Sequence, residues 1–400
     1  MTSGTIAAQI TDYANRADPY PLFAELREQP VRREDDGTYL VSTYYEVRSL
    51  ANDPRLSNDT SNRPPGYTRV GQPVESGLPP SFIFTDPPVH DRLRDTINRP
   101  FGPPHSPRFL DGLRGGLAEV VTELLDAFEG KDQVDIVEDF AYPLPVTAIC
   151  KVLGVPREDE PRFHGWADAL ASSLDPQAGE DGQGKAQRAR QDMGAYLADL
   201  IETKRRRPGP GILSALAPEM TPADLEATAV LLLVAGHETT VNAITNTTLT
   251  LLRHPDVLER FQKDPSLAVP LIEEVLRYEP PVQFVPWTTA LADIDVADTT
   301  IPEGSPVWLM LAAANRDPRR FEDPDRFDPD REDNEHLGFY TGIHYCFGAP
   351  LARMELHVAV PELFRRVTFS RLLEDPPPYR ANAVLRGPRH LPVAIEGLTA

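Results

Sequence analysis

The chain has 400 residues, 40% hydrophobic and 25% charged, with a formal net charge of −21. That composition excludes wholesale disorder and permits a large core. The acid excess argues against a nucleic-acid or anionic-membrane binder, because a chain repelled by phosphate gains nothing from counterion release.

The elements follow in chain order. Residues 1–16 lack a charged start followed by an apolar stretch, so no signal peptide is expected. Residues 21–29 read as a helix. Residues 31–42 alternate around Asp36-Gly37, which predicts a hairpin. Residues 108–128, 162–174 and 186–206 carry helical patterns. Between the last two, the Gly-, Asp- and Gln-rich stretch 175–184 reads as a mobile surface connection. Residues 221–253 form the longest helix candidate: Thr221 can cap, Pro222 suits the first turn, Asp224 completes a capping-box-like start and Pro255 follows the end. Its apolar run 229–236 is too short to span a bilayer. Residues 294–301 and 307–311 read as short strands, and 350–367 as a final helix before a Pro-rich tail. The 42 prolines punctuate the chain without dividing it, so one domain over 1–400 is favoured over two or three.

Two cysteines, Cys150 and Cys346, make no disulfide framework, and a reducing cytoplasm is the expected setting. Cys150 lies in a largely apolar stretch and reads as a buried structural thiol. Cys346 lies between Gly342 and Gly348, just ahead of a helix. Glycines let a loop pass close to a bulky flat group. The unpaired N–H groups and positive dipole end of the helix favour a thiolate. A thiolate held this way can bind a soft metal or haem iron.

The stretch 339–350 resembles the haem-binding loop of the cytochrome P-450 family, Phe-Gly-x-Gly-x-His/Arg-x-Cys-x-Gly. Phe339, Gly342, His344, Cys346 and Gly348 match, and Tyr340 stands where the family usually has Gly. The resemblance extends over nearly the whole chain. Residues 233–240, Leu-Val-Ala-Gly-His-Glu-Thr-Thr, look like the family's oxygen-activating segment. Thr239 lies four residues after Ala235, so its hydroxyl can compete for that carbonyl and loosen the helix. Gly236 removes bulk at the same place, which predicts a groove for dioxygen and water at Ala235 and Gly236. Breaking the O–O bond requires protons, and the resemblance implies that Thr239 donates, fed by the Glu238 carboxylate.

Glu274 and Arg277 look like the family's Glu-x-x-Arg, a spacing that puts both on one helix face. With Arg326, in a Pro-Asp-Arg-Phe segment resembling the family's meander, they are expected to form a buried structural network. Residues 86–94 match the segment that meets the haem propionates. His90 and Arg94 are four apart and can share one carboxylate, with His344 as a third donor. One partner differs. Where the family often has Arg in Arg-x-Ala-x-x-Asp, this chain has Thr288 before Ala290 and Asp293. A hydroxyl or the indole N–H of Trp287 is the compensation at hand.

The resemblance implies the mainly α, triangular P-450 fold with small β-sheets. It implies haem b held by the Cys346 thiolate, and insertion of one atom of dioxygen into an organic, mainly apolar small molecule. Electrons would come from a separate ferredoxin and its NAD(P)H-dependent reductase. The donor would dock on the cysteine side, where Arg92, Arg99 and Arg353 are expected to form a basic patch. By position, Leu231, Val234 and Ala235 would face the distal side of the haem. Val282, Phe284 and Val384 would complete the substrate pocket, and residues 57–84 would form its lid. Oxidative aryl coupling and peroxide-driven oxygenation stay open within the same fold, although Glu238-Thr239 argues against the second. A non-enzymatic haem sensor would need no proton relay.

Overall fold

Thr221 accepts a hydrogen bond from the Asp224 N–H at 3.1 Å, Pro222 occupies the first turn, and from this cap one helix runs unbroken over Pro222–Arg253. The computed structural model describes residues 5–64, 80–101, 107–172 and 180–399. The long helix carries an 18-residue window of mean hydropathy 1.3, apolar enough to cross a membrane by composition, yet 72% of that window is buried inside the protein. It is therefore a core helix. Helices Pro143–Leu153, Glu160–Ser172, Glu180–Arg206, Ala268–Tyr278 and Ala349–Arg366 pack around it.

The other expected helices appear with small shifts of boundary, as Tyr20–Arg27, Pro107–Asp126, Glu160–Ser172, Glu180–Arg206 and Ala349–Arg366. The connection read over 175–184 is shorter than expected: residues 180–184 already belong to a helix, and 175–179 lie outside the described residues. Pro143–Leu153 was not legible as a helix, because Pro143 and Pro145 stand in its first turn. Proline is tolerated there since those N–H groups have no helical partner.

Among the described residues, ten short strands make three sheets. The predicted hairpin is β1 (Val31–Arg33) against β2 (Tyr39–Val41), and its turn places Gly37 at φ 86°. Strand β3 is Leu56–Ser57, β4 Gln133–Asp135 and β5 Val285–Ala290. The pair β6 (Ile294–Val296) and β7 (Thr299–Ile301) forms a hairpin of its own. Strand β8 is Pro306–Leu309, β9 Val367–Leu372 and β10 Pro392–Leu398. The five-stranded sheet has the order β1-β2-β8-β5-β3, with β2 and β8 parallel. The third sheet has the order β4-β10-β9.

Two apolar cores result. One surrounds the long helix, and Cys346, Leu231 and Val234 lie on its margin. The other lies under the five-stranded sheet, and Val282, Phe84 and Tyr340 lie on its margin. Several candidate site residues therefore lie on the margins of the two cores.

A buried ion network fixes the cysteine side. Arg277 donates to both carboxylate oxygens of Glu274, at 2.8 and 2.7 Å, and both side chains are 0% exposed. The guanidinium also donates to the carbonyls of Asn315, Pro324 and Arg326. Glu274 accepts further from the Asp328 N–H and Asn334 Nδ2. The expected role of Arg326 needs correction. Its side chain is 67% exposed and turned toward Asp328, and only its backbone carbonyl joins the network. The third charge is Arg331, 3.4 Å from Glu274 and 10% exposed. A guanidinium that stays in water gains nothing from entering, whereas Arg331 already lies over the Phe321 ring, 5.9 Å from its centroid. Removing one member of a buried pair strands the other charge at a cost of about 3–5 kcal/mol. Arg277→Ala should therefore lower the urea midpoint severely, while Arg326→Ala should stay within about 0.5 kcal/mol of the parent.

Candidate active site

The cysteine loop is built by backbone bonds. The Tyr340 N–H donates to the Leu337 carbonyl, the Cys346 N–H to Phe339 and the Tyr345 N–H to Gly342. Gly342 stands at φ 69°, and a Cβ there would lie 2.7 Å from the Ala51 carbonyl oxygen, so only glycine fits. Tyr340 also has positive φ, 61°, although it is not glycine. The left-handed turn usual at this position is thus kept at a cost of about 1–2 kcal/mol. The half-buried Tyr340 side chain packs on the sheet-side core.

Cys346 lies just ahead of helix Ala349–Arg366 and is half-buried as a residue, whereas Cys150 is fully buried. Burial raises the Cys346 thiol above its ordinary value. Hydrogen bonds from the Gly348 and Ala349 N–H groups and the Arg94 charge oppose that rise. Burial first, then Glu160 and Asp159, push the Cys150 thiol far up, so it stays protonated.

The long helix presents a stripe of accessible surface in the middle of its buried length. Leu231, Val234 and Thr239 are half-buried and Ala235 is exposed, while Leu232, Leu233, His237 and Glu238 are buried. Positions 231, 235 and 239 recur every four residues, so one helix face carries accessible surface along its length. The Thr239 hydroxyl donates to the Ala235 carbonyl at 2.5 Å, as the spacing predicted. The helix does not break there, however, and Gly236 points elsewhere. A Cβ on Gly236 would touch Ile149 Cδ1 at 3.4 Å, so its smallness serves packing against Pro143–Leu153. The opening belongs to Ala235.

The other proposed pocket residues divide. Val282 is half-buried and bridges to Leu385. Phe284 and Val384 are both 0% exposed, and Phe284 stacks on Trp308 with ring centroids 5.0 Å apart. Apolar side chains with no free surface are core, so the structure removes these two from the pocket set. Residues 65–79 of the expected lid lie outside the described residues.

At the start of helix Val89–Phe101, His90 is 2% exposed, its Nδ1 lies 2.8 Å from Asp91, and its Nε2 is buried without a partner. The His344 ring lies 4.5 Å away, and its Nδ1 is likewise buried and unpartnered. Burial, followed by His90 and Arg94, pushes His344 down to about 3, so it is neutral at pH 7. Arg94 donates to the Tyr345 carbonyl and lies over the Phe82 and Phe347 rings. Two orphaned ring nitrogens beside a guanidinium make a ready site for a carboxylate.

Sequence reasoning missed a second cluster under the loop. Arg353 donates to both oxygens of Glu273, at 2.6 and 2.7 Å, and His336 Nε2 lies 3.0 Å from the same carboxylate. These partners hold Glu273 down to about 2 against its burial. Arg353 also covers the Phe339 ring at 4.4 Å, so it is part of the loop's support. Arg92 pairs with Asp224 at 3.5 Å and Arg99 with Glu219. All three arginines of the expected basic patch are therefore balanced by acids. The large exposed side chains on the cysteine loop are Ile343 and Tyr345, at 48% and 41%. Another missed group is Glu355, buried on the helix after Cys346 with Oε2 unpartnered, which burial alone holds well above the usual carboxylate range. Its place inside the apolar pattern of 350–367 was the available signal.

These features fit a haem: a thiol just ahead of a helix start, an open helix face bearing a hydroxyl, and a guanidinium with two orphaned imidazole nitrogens beside it. Among the described residues, no group of three or more His, Cys, Asp or Glu side chains could hold a bare metal ion.

The sequence model of cytochrome P450 matches residues 183–393. The chain is 37% identical to cytochrome P450 107B1 of Saccharopolyspora erythraea, over 98% of this chain and 99% of that protein. It is 36% identical to the 6-deoxyerythronolide B hydroxylase of the same organism, over 95% and 96%. Its fold is similar to ligand-free CYP164A2 of Mycobacterium smegmatis, with TM-score 0.87 and 36% identity over 97% of this chain and 99% of that one.

Proposed function

The chain belongs to the cytochrome P450 family and is a bacterial monooxygenase of small molecules; on that premise we propose that Cys346 is the axial thiolate of a haem b and that Thr239 and Glu238 manage its protons. A haem bound through a thiolate supplies reductive activation of dioxygen, leaving one oxygen atom for the substrate. The remaining chemistry belongs to the chain. The Gly348 and Ala349 N–H groups and Arg94, which oppose the effect of burial on the Cys346 thiol, would help hold negative charge on the sulfur once it ligates iron. Arg94, with His90 and His344 beside it, would hold a propionate. The small, exposed Ala235 would leave space for dioxygen beside the haem, and the half-buried Leu231, Val234 and Val282 would orient an apolar substrate.

The observation that carries this reading is the open stripe Leu231–Ala235–Thr239 on an otherwise buried helix. A hydroxyl has one proton and two lone pairs. The Thr239 proton lies on the Ala235 carbonyl, so its oxygen accepts first and donates only after rotating away. Glu238, buried one residue before it, is the carboxylate available to return a proton.

The substrate class is an apolar organic molecule, in keeping with the 6-deoxyerythronolide B named for one relative. The test is to supply labelled dioxygen, NADPH, a ferredoxin and its reductase with ligands chosen by a Soret-shift screen. One labelled atom per product is expected. Product formed equally well from peroxide without NADPH would overturn the reading in favour of a peroxygenase.

The electron donor is a ferredoxin meeting the cysteine side in the cytoplasm. The balanced arginines and exposed Ile343 and Tyr345 favour a contact centred on apolar surface. Ile343→Glu should slow reduction by ferredoxin about tenfold or more through charge repulsion at a docking centre. Reduction by dithionite should be unchanged. Equal ferredoxin rates would move the docking face elsewhere.

A further inference from the structure

Strand β5 carries Thr288 where a carboxylate-binding arginine is expected. The Thr288 hydroxyl does not compensate. It is 1% exposed and donates its one proton to the Val307 carbonyl at 2.7 Å. The preceding residue, Trp287, is 8% exposed, and its Nε1–H has no hydrogen-bond partner. A buried indole N–H without an acceptor points to an acceptor supplied from outside the chain.

Trp287 and His90 meet the same short helix, Phe82–Phe84. The Trp287 ring meets Phe84 edge-on at 5.6 Å. Phe82, two residues earlier, meets His90 at 6.4 Å and Phe347 at 6.2 Å, and lies under Arg94. Trp287 is also reached by Arg63, whose Nη2 donates to the Trp287 carbonyl at 3.5 Å. Its segment is tied down at several points. Ser57 pairs with Thr289 across β3 and β5. The Ser57 hydroxyl and the Asn58 N–H donate to Asp86. Asn62 Nδ2 donates to Ser57 Oγ at 3.0 Å, and Asp59 caps the turn Thr60–Asn62. A tether so short and so bonded holds the guanidinium at the strand.

We propose that Arg63, together with the Trp287 indole N–H, replaces the arginine missing at position 288 and binds a haem carboxylate on the β5 side. The inference rests on the haem-thiolate reading above. A guanidinium carries five N–H donors in a planar fork, so it can serve backbone carbonyls and a carboxylate at once. The role is one of positioning: Arg63 holds the cofactor and takes no part in the chemistry.

The test is haem loss to excess apomyoglobin, measured for the parent and for Arg63→Ala. Each is loaded once with haem and once with haem dimethyl ester, which lacks both carboxylates. Arg63→Ala should release haem about tenfold faster or more, the scale of a hydrogen bond to a charged group. It should release the ester at the parent's rate. Arg63→Lys, which keeps the charge and loses the fork, should fall between. Equal acceleration for haem and ester would mean that Arg63 merely supports the fold, and no acceleration would mean that it does not reach the carboxylate; either result overturns the inference. The red-shifted Soret band of the ferrous–CO complex is recorded alongside. Its presence with an unchanged rate of loss leaves the thiolate reading intact, and its absence from the parent removes both.

Discussion

Cys346→His is expected to abolish the red-shifted Soret band of the ferrous–CO complex and all NADPH-driven oxygenation, while Cys150→Ser leaves both intact. The contrast follows from where the two sulfurs lie. Cys346 receives N–H groups from Gly348 and Ala349 and the charge of Arg94, and the residue is only half-buried. Cys150 is fully buried in Pro143–Leu153 with Asp159 and Glu160 as its charged neighbours, so its thiolate is strongly disfavoured. Imidazole in place of Cys346 can still ligate iron but does not push electron density as a thiolate does. Loss of the band in the Cys150 variant would reverse the assignment.

Thr239→Ala is expected to uncouple the enzyme: NADPH oxidation continues, peroxide accumulates and product per NADPH falls at least about tenfold. The physical reason is the loss of the one hydroxyl on the open stripe of the long helix, at the position whose oxygen bonds back to Ala235. Glu238→Gln should slow turnover by about 10²-fold with less uncoupling, because a proton source is removed while the hydroxyl remains. Peroxide yield, NADPH consumption and product are the three quantities to measure. Unchanged coupling and rate in both variants would leave the proposed relay without support and favour a peroxide-driven reaction.

The Thr239–Ala235 bond was legible because it is local: a hydroxyl four residues after a carbonyl on a helix can reach it whatever surrounds them. The direction of Gly236 was not, since it depends on Ile149, 87 residues earlier, lying against that side of the helix. Phe284 and Val384 were assigned to the pocket by position along the chain. Only packing against Trp308 and the sheet-side core showed that they have no free surface. Arg326 and Arg331 are equally charged and five residues apart, and nothing local distinguishes the one that enters the Glu274 network from the one that stays in water.

By itself the sequence determined the features whose causes are near neighbours. These are the cap at Thr221, the hairpin at Asp36-Gly37, the Glu274–Arg277 face and the cysteine three residues ahead of a helix start. Capping, turn geometry and helical spacing act over a few residues, so residue identity settles them. The tertiary structure alone decided what depends on distant partners. Strands of two or three residues such as β3 and β4 carry no readable alternation and exist because β5 and β10 pair with them. The charge balance of Arg92, Arg99 and Arg353 depends on Asp224, Glu219 and Glu273, and the place of Arg63 beside Trp287 depends on a strand more than two hundred residues away. Burial and long-range electrostatics are properties of the folded surface, and they exist only after the chain has closed on itself.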